Sequence, residues 1–313
     1  MSPAHRFWTV ALGAGAISAV MYLIAAQSPF GGGLLLYFAQ LPLFVAGLTF
    51  GAAASAVAGA AAAGALMYQH DYLVALVFAV MFIIPVPVLV RQALLSRQGP
   101  DGQVEWYPPG LLVGWLLAIG VGMLLMAGAW LAMHGGVEQA AMQVASKMMD
   151  LLAQITQQPA PTPEARARGA ENLGGILLGT MAATLLVITA INGVLAQGLA
   201  KRFGWNRRPS PEMAALDLPW HVPALFTAAL VLGSLLPGDL GFMVRNLVPI
   251  MLLGGVLSGL AVVHAAVRRL EGKGWMLAIV YAICGFMVLP MFLLAAIGLA
   301  EPFLKLRRRM SAA

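Results

Sequence analysis

Seven polar or aromatic residues stand beside apolar runs and carry groups able to hold a ligand: Tyr37, Gln40, His70, Asp71, Tyr72, Trp130 and His134. An imidazole next to a carboxylate, as in His70–Asp71, is the smallest unit that handles a metal or a proton, and in a short loop that pair is most often simply solvated. Tyr72, Trp130 and His134 suit a membrane–water boundary, and His134 adjoins the glycine pair Gly135–Gly136. Together with Glu138 these residues describe a polar, aromatic mouth fit for a small molecule. Gln40 and Asn192 lie inside apolar runs, in the outer half of the second and the inner half of the sixth. A buried amide needs a partner, so each either ties helices together or touches a ligand. No catalytic residue emerges: there is no H-E-x-x-H, no Walker loop, no G-x-S-x-G and no pair of carboxylates within an apolar run. The expectation is a protein that is not an enzyme and uses no metal and no cofactor. The single Cys284 leaves no intramolecular disulfide and packs as a small hydrophobe.

The elements that must position these groups are membrane helices. Of 313 residues 61% are hydrophobic and 10% charged, and the mean hydropathy is +0.87, far from the composition of a soluble domain. The net charge of +6 comes from basic residues at the ends of apolar runs, where they orient spans and meet anionic headgroups, so the partner is the lipid bilayer and not nucleic acid. The fold class expected is an all-α integral membrane protein, a polytopic helical bundle of 8–10 transmembrane segments. Nine candidates run 8–26, 34–50, 52–68, 72–90, 111–133, 173–199, 222–236, 244–266 and 275–300. The second and third turn tightly at Gly51, and Pro85 with Pro87 kinks or stops the fourth. Ala11, Gly15 and Ala19 form a small face on the first span, suited to close helix packing within the chain or to a membrane protein partner.

One polar interval, Gly135 to Glu171, separates two apolar blocks. Val137, Ala141, Val144, Met148, Leu151 and Ile155 recur at steps of four and three, which predicts an amphipathic helix followed by a proline-punctuated linker. With the N-terminus cytoplasmic and nine crossings, lysine and arginine number ten inside and eight outside. If the last apolar segment folds back near Gly285 or Pro290, Lys305, Arg307, Arg308 and Arg309 move inward and the count becomes fourteen to four. Charge favours the second arrangement. Length opposes it, since a run of that size reaches roughly 39 Å, enough for one crossing only. The polar interval is extracytoplasmic in either case.

Four stretches, LPLFVAGLTFGAAASAVAG, AINGVLAQGLAKRFGW, LDLPWHVPAL and IGLAEPFLKLRRR, resemble the DUF2232, or YybS-like, multi-pass membrane family of bacteria. That family has been grouped with the substrate-binding S components of energy-coupling-factor transporters. The resemblance implies an S-component-like core over 1–199, including the 135–171 interval, then a cytoplasmic basic loop over 200–221 and C-terminal transmembrane segments with a basic tail over 222–313. It further implies a ligand entering at the outer helix ends and the small face of the first helix meeting a coupling partner. Two functions follow as expectations. One is a small-molecule binding or transport component of the bacterial inner membrane; the other is a scaffold or regulator acting through the amphipathic helix and the basic tail.

Overall fold

The computed structural model describes residues 2–27, 32–69, 72–157, 162–268 and 270–312. The chain opens with α1 (Pro3–Gln27), α2 (Gly32–Phe38), α3 (Leu41–Phe50), α4 (Ala52–Gln69) and α5 (Tyr72–Phe78), which passes through a π-helical turn, Ala79–Ile83, into α6 (Pro85–Ala93). A hairpin of β1 (Ser96–Gln98) and β2 (Val104–Trp106) leads to α7 (Pro109–Ala132), α8 (Val137–Thr156), α9 (Pro163–Gly174) and α10 (Leu177–Arg202). A 3₁₀ turn, Met213–Ala215, precedes α11 (His221–Leu235), α12 (Gly238–Arg245), α13 (Leu247–Val267), α14 (Lys273–Phe286), α15 (Val288–Leu304) and α16 (Leu306–Ala312).

Among the described residues six helical segments are long and apolar enough to cross a membrane, Pro3–Gln27, Gly32–Phe50, Tyr72–Ala93, Pro109–Ala132, Leu177–Arg202 and Gly238–Val267. A seventh is added if the bent pair α14–α15 counts as one span. The protein is therefore a helical polytopic membrane protein, with fewer full-length spans than the nine segments expected. Three reasons account for the difference. The alanine- and glycine-rich α4 is only weakly apolar, α11 is short, and the last apolar run is broken by 115° at Met287.

The chain divides into two compact units. The first contains Met1–Leu116 and Leu185–Glu212. Its inner helix is α4, whose Ala54, Ser55, Ala58, Gly59, Ala62 and Leu66 are buried. Where small residues line a membrane helix, backbones approach closely enough for dispersion to hold them. Gly15 of α1 lies against Ala58 and Ala61, and Gly59 against Ile83, with no room for a side chain at either. Gly51, at φ +103°, makes the one-residue turn between α3 and α4, a conformation open to glycine at little cost. The hairpin pairs Ser96 with Trp106, Arg97 with Glu105 and Gln98 with Val104. Arg208 fastens the segment after α10 to this region. Its Nη1 donates to the Ala93 carbonyl at the end of α6 (2.6 Å) and its guanidinium lies over Trp106 at 5.7 Å. Burial lowers the Arg208 pKa, yet guanidinium stays charged at neutral pH and favours a helix C-terminus.

The second unit contains Leu117–Thr184 and Met213–Ala313. Here α8 and α9 form a helical hairpin closed by Ala145, Ala170 and Leu177, and Val137 and Ala141 pack on Phe242 of α12. The proline linker expected after α8 thus contains a helix. Thr162 caps it by accepting from the Ala165 amide, and Pro163 sits where a missing N–H costs nothing. Arg166 of α9 reaches Ser146 and Asp150 of α8. The buried centre is α13, crossed by α15 at Gly255, Gly259 and Gly298.

Beyond α15, Lys305 turns the chain at φ +49°, and the buried Glu301 carboxylate accepts from the amides of Leu306 and Arg307 and from Arg307 Nε. Arg307 then donates to the carbonyls of Ala214 and Leu216 and pairs with Asp217. The end of α13, at Ala265 and Arg268, lines the same cavity as these residues. The pair α14–α15 follows the Arg268 end of α13 and ends, at Glu301 and Pro302, beside the same cavity. The tail thus packs, through Arg307, on the segment before α11.

Candidate functional site

The polar residues of the first unit converge where two apolar spans are interrupted, and each interruption has a proline behind it. Pro42 offers no amide to the preceding turn, and the helix parts at Ala39–Gln40 between α2 and α3. Pro85 likewise withholds the amide that the Met81 carbonyl would receive, and the backbone there takes a π turn closed by Ile84 N to Ala79 O at 2.9 Å. Free carbonyls inside a membrane protein must be answered by other donors. Ser18 Oγ donates to the Ala39 carbonyl at 2.7 Å. Asn192 Nδ2 donates to the carbonyls of Tyr37 at 2.6 Å and Ile188 at 2.8 Å. Gln40 Nε2 donates to the carbonyls of Phe82 at 3.2 Å and Met81 at 3.4 Å.

Both amide nitrogens are thus spent on backbone, which also fixes which end of each amide is oxygen. Gln40 Oε1 and Asn192 Oδ1 are buried and receive no hydrogen bond from protein. An amide acceptor left unanswered in an apolar bundle costs about 1–3 kcal/mol. No carboxylate stands beside either amide among the contacts described, so the pair suits a neutral donor, a hydroxyl or an N–H, better than a bare cation. Aromatic packing of Tyr22, Phe78 and Phe82, with ring centroids 4.6 Å and 5.3 Å apart in sequence, stiffens the π-turn wall.

The expected ligand-binding residues distribute as follows. Gln40 is in the interior of the first unit, while Tyr37 and Tyr72 of that unit are exposed. Trp130 and His134 belong to the second unit, stacked on each other at 4.3 Å, with His134 Nδ1 2.7 Å from the Trp130 carbonyl. His70 and Asp71 lie outside the described residues. Asn192 of α10 holds the carbonyl of Tyr37, three residues before Gln40. The sixth span starts at Leu177, later than expected, because α9 takes up Pro163–Gly174. Ala11, Gly15 and Ala19 are buried, and Gly15 meets α4, so that face is covered within the chain. Among the described residues no three His, Cys, Asp or Glu side chains are grouped as a metal would require.

A family model described as a predicted membrane protein, DUF2232, matches residues 16–300. The chain belongs to the DUF2232 family. No curated protein and no solved structure matches it. The matched region of this DUF2232 protein takes in Ser18, Gln40, Pro85 and Asn192.

Sequence reasoning passed over several residues of this DUF2232 chain that organise the second unit. Asn246, fully buried, accepts from the Gly179 amide at 2.8 Å and donates to the carbonyls of Gly175 at 3.0 Å and Phe242 at 2.9 Å. It clasps the start of α10 to the α12–α13 junction. Asp239 accepts from the amides of Val137 and Glu138, capping α8 from a distant helix. The one available signal was Asn246 itself, a polar residue at the head of an apolar run.

Proposed function

We propose that this DUF2232 protein is a small-molecule binding or transport component of the bacterial inner membrane, with its N-terminus cytoplasmic, that takes a neutral polar solute and catalyses no reaction. The observation that carries the reading is the pair of buried, donorless amide oxygens at two proline-broken spans. Interrupted helices at bilayer depth are where transporters place solutes, since the backbone there is freed from its own ladder. The grouping with S components that the sequence resemblance implies points to the same reading. The test is thermal unfolding of the detergent-purified protein against a panel of neutral polyols, amides and nucleosides. A stabilising solute is expected whose effect disappears in Gln40→Leu and Asn192→Leu and persists in Ser18→Ala, which removes a helix tie and leaves both oxygens in place. Absence of any shift across the panel, or an equal loss in Ser18→Ala, overturns the proposal.

One observation favours a scaffold instead. Val144, Met148, Leu151 and Ile155 of α8 are 44–61% exposed, so most of the expected apolar stripe is left uncovered while Val137, Ala141 and Ala145 face inward. Replacing those four by Gln should then remove a cross-linked partner without loss of folded protein. An unchanged cross-linking profile sinks the scaffold reading.

A further inference from the structure

Within the second unit the α8–α9 hairpin is tethered at both ends to helices that can cross a membrane. Four residues, 133–136, separate α8 from the end of α7, and two, 175–176, separate α9 from the start of α10. Gly135 and Gly136, at φ +110° and +104°, turn the chain sharply at the first junction. The hairpin therefore starts and finishes at the rim of the apolar bundle.

Three sides of α8 meet three different surroundings. Toward α9, Ala145 meets Ala170 and Leu177, and Arg166 reaches Ser146 and Asp150. On a second side Gln139, Gln143 and Lys147 line an open polar cavity of about 790 Å³, together with Arg166 and Asp239. The third side begins packed, with Val137 and Ala141 on Phe242 of α12. Val144, Met148, Leu151 and Ile155 continue that side at steps of three and four, and all four are exposed. From Ala141 to Thr156 the helix advances roughly 22 Å at 1.5 Å per residue, so most of the stripe lies beyond its contact with α12.

Exposed apolar residues also flank the base of the hairpin, Trp130 and Met133 at the end of α7 and Leu173 and Ile176 at the approach to α10. The stripe is thus continuous with the surface that the spans turn to lipid. A face that begins on the bundle looks, past the bundle's edge, onto the bilayer around it. Charge is not what draws it there. Asp150 pairs with Arg166 and Glu138 with Arg245, and Lys147 and Arg168 balance Glu164 and Glu171. Burial of apolar side chains must supply the attraction.

We propose that the α8–α9 hairpin is an interfacial element whose stripe of Val144, Met148, Leu151 and Ile155 docks in the headgroup–acyl boundary of the bilayer, with the Gln139–Lys147 side facing water. The occupant of the stripe is lipid, where a scaffold would place a protein. Nothing in this inference depends on the solute reading of Gln40 and Asn192.

The test uses the full-length protein in phosphatidylcholine nanodiscs, with Cys284→Ala as background and a bimane label at Leu151→Cys, Ile155→Cys or Gln143→Cys. All three sites are exposed, so a label disturbs no packing; should one stripe variant fail to fold, the other carries the test. A nitroxide placed high on the lipid acyl chain should quench the two stripe labels at least about threefold more than the Gln143 label, and more than a nitroxide near the chain end does, as a face about 5–10 Å deep requires. Iodide in the water should show the reverse order. Exchanging part of the lipid for phosphatidylglycerol should leave the pattern unchanged. Equal iodide quenching at the three sites overturns the proposal. Stripe labels shielded from both lipid and iodide overturn it too, because a protein then covers them, and so does lipid quenching that appears only with phosphatidylglycerol.

Discussion

At the crossing of α13 and α15 a single methyl group should be decisive. A Cβ built on Gly298 would stand 2.9 Å from the carbonyl carbon of Gly255 and closer still to its oxygen. Across the contact, a Cβ on Gly255 would stand 2.8 Å from the Ala295 carbonyl oxygen. Carbon atoms settle at about 3.5–4.0 Å, so Gly298→Ala must part the helices by at least about 1 Å. The three atoms nearest a Cβ on Gly298 are all backbone, so no flexible side chain can yield there. Overpacking of this kind costs typically 1–3 kcal/mol, and with two rigid helices in contact we expect about 3 kcal/mol. The assay is equilibrium unfolding of the detergent-purified protein in SDS, followed by tryptophan fluorescence. Gly285→Ala in α14 is the control, because a Cβ there meets nothing within 4 Å; its helix propensity should make it neutral or up to about 1 kcal/mol stabilising. The argument fails if Gly298→Ala unfolds at the same SDS fraction as Gly285→Ala.

Three further outcomes are expected. Asn246→Leu should cost about 3 kcal/mol in the same assay, since it strips partners from the Gly179 amide and from two carbonyls in a fully buried position; a loss below that of an exposed control such as Asn172→Leu would contradict the clasp. Arg208→Ala should raise hydrogen exchange of the hairpin amides at Tyr107 and Gly99 about tenfold, equivalent to the loss of one charge-assisted hydrogen bond at 2.6 Å and a ring contact. Asp239→Ala should speed exchange at Val137 and Glu138 by about fivefold, the value of an N-cap near 1 kcal/mol, while the amides of α4 remain protected.

Much of the architecture could be read from residue types alone. The apolar runs gave the helices, Gly51 gave a turn because φ +103° is glycine's territory, and Pro85 gave a broken ladder because it has no amide. The break between Gly285 and Pro290 was visible as well, though length argued against it. The helix α9 escaped because Pro159, Pro161 and Pro163 read as a linker, although Thr162–Pro163–Glu164 is also a helix start. The long-range ties were illegible for a different reason. Asn246 to Gly179 spans 67 residues and Arg307 to Ala214 spans 93, and no periodicity within a helix says which distant backbone group a polar side chain will meet. Glu301 and Arg307 are six apart across a left-handed residue, a spacing that helical counting does not flag.

The cap that Asp239 places on α8 also bears on how the chain comes off the ribosome. Its acceptor lies 102 residues downstream of the Val137 amide. At roughly 5–20 residues per second, the head of α8 emerges about 5 to 20 s before the residue that closes its first turn exists. During that interval the head of the α8–α9 hairpin has only water or a chaperone to satisfy it, and the Asn246 clasp on α10 is missing too. Completion of α12 is therefore the step at which this half of the molecule stops being a string of inserted helices and becomes a folded unit. A truncation ending before Gly238 should insert its spans and still leave α8 open to protease.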